Sequence, residues 1–217
     1  MELKEILLLS NDLSSTAQFY SEILNVKPVD KNDNELAFLI GKTKLRFQVT
    51  DIKQPIYHLA IEIPNNKLEE AFNWLKERTT ILPVTQDSNY SKFEAWNAAS
   101  FYFYDNNGSI LELICRHDVT NESDLPFDET QFLYISEIGL VSNEVEHLAE
   151  KLTATYQLDY YARQPKQKDF IVIGDEKGLL ILVSSERNWY PTTRKAESFP
   201  IAVLFIGSDN IEHKLNI

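Results

Sequence analysis

Four side chains are candidates for chemistry because of the company they keep. In residues 56–63 (IYHLAIEI), strand alternation puts Ile56, His58 and Ala60 on one face, so an imidazole sits among apolar groups. In residues 109–115 (SILELIC), Glu112 shares its face with Ile110 and Ile114, an unusual setting for a solvated carboxylate. Glu5 has Leu3 and Leu7 on its face, and Arg46 has Lys44 and Gln48. A carboxylate or imidazole on such a face can serve as a general base, a metal ligand or half of an ion pair. Plainer roles stand beside these: a hydrogen-bonded core histidine, a Glu112–Arg46 salt bridge, an exposed Glu5 and a solvated Arg46.

Other features carry weaker signals. Trp96 and Arg116 flank the aromatic strands, and Arg187-Asn188-Trp189-Tyr190-Pro191 is an aromatic-basic cluster between strands. An indole can stack on a cationic or aromatic ligand, although core packing accounts for Trp96 equally simply. His117, His147 and His213 read as surface residues. Cys115 is the one cysteine, which excludes an internal disulfide and a multi-thiolate zinc site. No His or Asn motif around it argues for a nucleophile. The six glycines do not cluster, so no phosphate-cradling loop is present.

The chain has 217 residues with a net charge of −12. That charge repels phosphate backbones and argues against nucleic acid as a partner. The N-terminus lacks signal-peptide features, and no apolar run is long enough to span a membrane, so a cytoplasmic protein with no membrane partner is expected.

The elements that must position these residues repeat. Residues 3–10 read as a strand, Asn11-Asp12 as a cap, and Leu13, Ala17, Tyr20 and Leu24 as a helix face. Strands at 35–40 and 43–49 follow, with a short one near Val26–Val29. The pattern restarts with a strand at 56–63, a cap at Asn65-Asn66 with Glu69 in a capping box, and a helix through Leu68, Ala71, Phe72 and Leu75. Strands at 92–96, 100–104 and 109–115 complete it, the last two joined through the hairpin turn Asp105-Asn106-Asn107-Gly108. After an acidic stretch the pattern returns: a strand at 133–141, Asn143 as cap with Glu146, a helix through Val145, Leu148 and Leu152, and strands at 168–173 and 178–184. A strand at 199–206 begins a fourth unit. The expected architecture is α+β, with mixed curved sheets and helices outside. Three segments are expected: a complete two-module domain over 1–117, an acidic linker over 118–132, and a truncated second domain over 133–217.

Residues 3–24, with strand, Ser-Asn-Asp, helix, Phe19-Tyr20 and Ile23-Leu24-Asn25, resemble the opening of glyoxalase-fold proteins. Residues 101–114 (FYFYDNNGSILELI) resemble their closing hairpin. The chain thus resembles the vicinal oxygen chelate superfamily of glyoxalases, bleomycin-resistance proteins and extradiol dioxygenases, built from paired βαβββ modules. The resemblance implies metal ligands on the first and last strands of each module. Carried over, these are Glu5, His58 and Glu112, with Arg46 at a fourth position. Such a set suits Fe²⁺, Mn²⁺, Ni²⁺ or Zn²⁺. Arg46 departs from the pattern, since a guanidinium repels a divalent cation and can instead pair with Glu5 or Glu112 in its place. Glu137 is the third-module equivalent of Glu5, with no fourth-module residues to join.

On this resemblance the expected function is a metal-dependent lyase or dioxygenase acting on a small oxygen-bearing molecule. Glu112 or Glu5 is the candidate base, with Arg46, Trp96 and Arg116 near the ligand. The alternatives are a metal-free binding or sequestering protein of the bleomycin-resistance kind and an assembly scaffold. Unpaired edges in a half-domain favour a homodimer.

Overall fold

The computed structural model describes residues 1–217. The chain builds two mixed sheets from thirteen strands and packs three helices against them. The first repeat supplies β1 (Glu2–Ser10), α1 (Leu13–Glu22), β2 (Pro28–Lys31), β3 (Glu35–Ile40) and β4 (Thr43–Val49). The second supplies β5 (His58–Glu62), α2 (Leu68–Lys76), β6 (Ser91–Phe93), β7 (Ala98–Tyr104) and β8 (Ile110–Arg116). The third supplies β9 (Tyr134–Val141), α3 (Val145–Tyr156), β10 (Phe170–Asp175) and β11 (Gly178–Val183), and the chain ends in β12 (Ala202–Ile206) and β13 (Glu212–Asn216). The expected α+β class with curved mixed sheets is what forms.

Most boundaries follow local chemistry. Asp12 caps α1 by accepting the Ser14 and Ser15 amides, as its position predicts. The other two caps differ. Helix α2 starts after Lys67 and α3 after Glu144, neither with a side-chain cap bond. Asn65 and Asn66 instead bond to residues 119–123, and Asn143 accepts from the Ser185 hydroxyl. The predicted strand 92–96 breaks after Phe93 into a 3-10 turn over Glu94–Trp96, which Asn97 ends in the left-handed region. In the Asp105–Gly108 turn, Gly108 has φ +84° and the Asp105 carboxylate accepts the Asn107 and Ser109 amides. Strand β13 carries no distinguishing pattern and was not expected.

Sheet partnership decides where a site can form. Within each repeat the first strand runs parallel to the last: β1 with β4, β5 with β8, β9 with β11. Between repeats, β5 pairs with β9 and β1 with β12, both antiparallel. The orders are β13-β12-β1-β4-β3-β2 and β10-β11-β9-β5-β8-β7-β6. The second and third repeats therefore share one sheet, across the 118–132 boundary, instead of the first and second forming a unit over 1–117. The acidic stretch explains this. It folds back on the second repeat, with the Asn65 amide group donating to Val119 O and the Phe127 amide donating to Glu70, and so brings β9 to the free edge of β5. The Thr43 hydroxyl ties the two sheets by bridging Leu3 O and the Ile135 amide.

A common core fills the space between elements, with Ile6, Leu8 and Phe47 from the first sheet and Leu59, Leu111 and Ile138 from the second. Alternation then sends His58, Ala60, Glu62, Glu112 and Ile114 to the other face of the second sheet, beside a smaller apolar cluster with Trp96, Ile181 and Trp189. No helix is long and apolar enough to cross a membrane.

Candidate metal centre

Strand register assembles the site. Ala60 of β5 is flanked by Glu112 of β8 and by Glu137 of β9, and His58 lies two residues before it on the same face. Because Ala60 is small, the three larger side chains converge over it. The candidate ligand atoms of His58, Glu112 and Glu137 all lie within 4.8 Å of one another, and all three residues are buried. His58 Nδ1 lies 3.2 Å from Ile110 O and must donate to it, which leaves the Nε2 lone pair 3.5 Å from Glu112 Oε2. This is the form in which an imidazole ligates.

Beneath the cluster lies a buried ionic layer. Arg116 is fully buried, forms ion pairs with Glu62 and Glu137, and donates to Ser136 Oγ at 3.0 Å. Burial works against its charge, but Glu137 and Glu62 outweigh that and raise its pKa. Three carboxylates (Glu62, Glu112, Glu137) face one guanidinium, and burial lowers the His58 pKa to about 4, so His58 is neutral. With all three carboxylates ionised the surplus is two negative charges. Burial, followed by the Glu137 charge, pushes Glu112 up to about 8, and burial pushes Glu62 up to about 7. Glu112 Oε1 is buried with no hydrogen-bond partner at bonding distance, although the Ser100 and Tyr102 hydroxyls lie close enough to favour the charged form. Such a cluster is short of positive charge, which a proton or a cation can supply.

These groups open into a cavity of about 260 Å³ whose walls include Trp96, Tyr102, Ile181 and Trp189. The Arg187–Pro191 cluster forms part of its cover. The Trp189 ring lies 5.5 Å from that of His58, and the Tyr190 hydroxyl is 2.9 Å from Ser91 Oγ. Gly139 is required here, because a Cβ would lie 2.4 Å from the Trp189 ring. Trp96 is fixed by its Nε1–H, which donates to Gln164 Oε1 at 3.2 Å.

Of the residues singled out from sequence, His58 and Glu112 come together and Trp96 lines their cavity. Glu5 and Arg46 do not join them. They lie in the first sheet, where Arg46 bonds Glu5 at 2.7 Å and Glu35 at 2.6 Å. Arg46 thus has no contact with Glu112. It occupies the first repeat's equivalent of the Glu112 position, since Glu5 pairs with Lys44 and Arg46 follows two residues on. Arg116 lies below the cavity as a structural cation and not at its rim. Glu137 takes the place expected of Glu5, because β9, not β1, borders β5. By the same offset Ile181 stands where a fourth ligand would be. The alternation of Glu62 with Ala60 and of Arg116 with Glu112 already puts both on the site face, a signal that could have found the ionic layer.

Comparison with known protein families gives no match, and no curated protein is similar. Solved structures do match. A candidate dioxygenase from Bacillus subtilis is 14% identical, with a TM-score of 0.63 over 100% of this chain and 84% of that one. A glyoxalase I point mutant from Zea mays is also 14% identical, with a TM-score of 0.55 over 99% of this chain and 92% of that one. The chain therefore has the fold of the glyoxalase and dioxygenase structures, and the resemblance to the vicinal oxygen chelate superfamily holds at the level of fold.

The donor set fits a divalent ion. It offers one neutral imidazole with a directed lone pair and two carboxylates, one with an unpartnered buried oxygen. Nitrogen and oxygen donors of this kind suit Fe²⁺, Mn²⁺, Ni²⁺ or Zn²⁺.

Proposed function

We propose that this chain is a metal-dependent enzyme of the lyase or dioxygenase kind acting on a small oxygen-bearing molecule, with His58, Glu112 and Glu137 holding the ion. The observation that carries the reading is the buried excess of negative charge, with a free carboxylate oxygen, beside a ligand-sized cavity. A bound divalent ion with open positions acts as a Lewis acid on neighbouring substrate oxygens. The chain's own residues do the rest. Arg116 holds one oxygen of Glu137 and leaves the other free. Trp96, Tyr102 and Trp189 hold an apolar substrate body. Trp189, buried beside His58, would shield one side of the site from water, which strengthens electrostatic interactions there. Glu112 is the candidate base, and it would take up or return a proton only through an oxygen that the ion leaves free.

A second reading is metal-free binding of an organic cation. The aromatic walls favour it, because two carboxylates under two indoles also suit an ammonium group. One experiment separates the two. Metal content is measured on protein purified without chelator, together with melting curves in Mn²⁺, Fe²⁺, Ni²⁺ and Zn²⁺. The expected result is about one ion per chain, with stabilisation lost in His58→Ala and Glu137→Gln and kept in Glu5→Gln. No uptake by the wild type, with stabilisation by a quaternary ammonium instead, would decide for the second reading.

A further inference from the structure

We propose that a second cavity, sharing no lining residue with the candidate metal site, binds a small organic anion: a carboxylate on an apolar or aromatic body. The cavity is about 300 Å³. Its charged residues are Lys4, Lys42, Lys177 and Glu2, a local balance of +2 in a chain of net charge −12. The three lysines come from distant parts of the chain: β1, the β3–β4 turn and the β10–β11 turn. Lys4 has one remote carboxylate, Glu2 at 3.8 Å, and Lys42 and Lys177 pair with none despite the acidic excess.

The turns presenting them are held firmly. Gly41 has φ +54°, and a Cβ there would lie 2.1 Å from Leu133 O, the atom that accepts the Lys42 amide at 2.9 Å. A Cβ on Gly178 would lie 2.6 Å from Met1 O, and the Lys177 amide donates to Asp175. The three lysines therefore line one space from backbones held in place on several sides.

A separate observation concerns an unpaired donor at the wall of that space. Asn121 lines the cavity, and its Oδ1 accepts the Asn65 amide at 2.8 Å. Its Nδ2 is buried and donates to nothing in the chain. An unpaired buried donor is costly, and a rotation of the Asn121 amide toward the cavity would let a ligand carboxylate oxygen satisfy it. Four of the ten lining residues are hydrophobic, Leu3 and Tyr134 among them. Apolar surface of this kind gains nothing from a bare phosphate and favours an anion with a body to bury.

The test uses the full chain as purified, titrated with benzoate by calorimetry and by amide NMR. Methyl benzoate and inorganic phosphate serve as comparisons. Saturable benzoate binding is expected, weakening as salt rises and shifting amides near Lys42 and Asn121. Lys42→Glu/Lys177→Glu should weaken it by about tenfold or more, Lys42→Gln/Lys177→Gln by less, and His58→Ala not at all. The lysines carrying the changes are exposed, so melting curves should stay near wild type. No saturable binding, equal binding of the ester, or unchanged affinity in the charge-reversed variant would overturn the proposal. Tighter binding of phosphate than of benzoate would overturn the apolar-body assignment, and loss of binding in His58→Ala would place the ligand at the other site.

Discussion

The charge excess at Glu112 makes the stability of the metal-free protein fall with pH over a defined window. Burial and the Glu137 charge raise Glu112 from 4.5 to about 8, while burial lowers His58 from 6.5 to about 4. A raised carboxyl keeps a proton that the unfolded chain has released. Its contribution is complete below 4.5 and is lost as pH rises through about 8. A lowered imidazole contributes fully above 6.5, and that contribution is lost as pH falls through about 4. The two effects oppose each other below 6.5. Above it Glu112 remains, joined by Glu62 up to about 7 and by Glu137, which burial also raises. One proton retained from pH 6.5 to 8 amounts to roughly 2 kcal/mol at about 1.4 kcal/mol per pH unit. For a chain of this size that corresponds to a fall in Tm of about 4–8 °C. The assay is calorimetric melting of chelator-stripped protein across this range, beside Glu112→Gln. The variant should show a flattened profile and exceed the wild type at pH 8. Excess divalent ion should reverse the wild-type slope, because the ion replaces the proton. A flat wild-type profile, or an equally steep fall in Glu112→Gln, would refute the electrostatic account of the cluster.

Three further outcomes follow from the same geometry. Arg116→Met leaves Glu62 and Glu137 buried without a cation and should cost about 3–5 kcal/mol in urea unfolding at pH 7, with part of the loss recovered at pH 5 as both carboxyls take protons. Gly139→Ala drives a methyl group into the Trp189 ring and should cost about 1–3 kcal/mol by the same assay, relieved when combined with Trp189→Ala. Arg46→Met breaks half-exposed ion pairs with Glu5 and Glu35; the expected loss is within about 1 kcal/mol, and metal uptake measured by elemental analysis should match wild type.

The repeats were legible because each carries local signals: alternating apolar strands, the Asp12 cap, the Asn107-Gly108 turn. What has no local signal is which repeats share a sheet. The contact that settles it, Ala60 against Glu137, joins residues far apart in the chain, and either β1 or β9 offers β5 a strand of similar pattern. Such non-local choices rest on packing and on how the connecting segment is held, here by Asn65, Asn66 and Glu70. The charges nevertheless contained a clue. Each repeat presents one residue on its first strand and one two positions beyond on its last: Glu5 with Arg46, His58 with Glu112, Glu137 with Ile181. Joining the first and second repeats would put the Arg46 guanidinium inside a cation site and bring it against the imidazole. Joining the second and third puts two carboxylates, one imidazole and an inert Ile181 around one point, and leaves Arg46 free to be neutralised by Glu5 and Glu35. A cation site tolerates an aliphatic neighbour far better than a fixed positive charge. Arg46 was therefore the residue that argued against the first pairing, and its exclusion from the cluster is the electrostatic consequence of the sheet order the chain adopts.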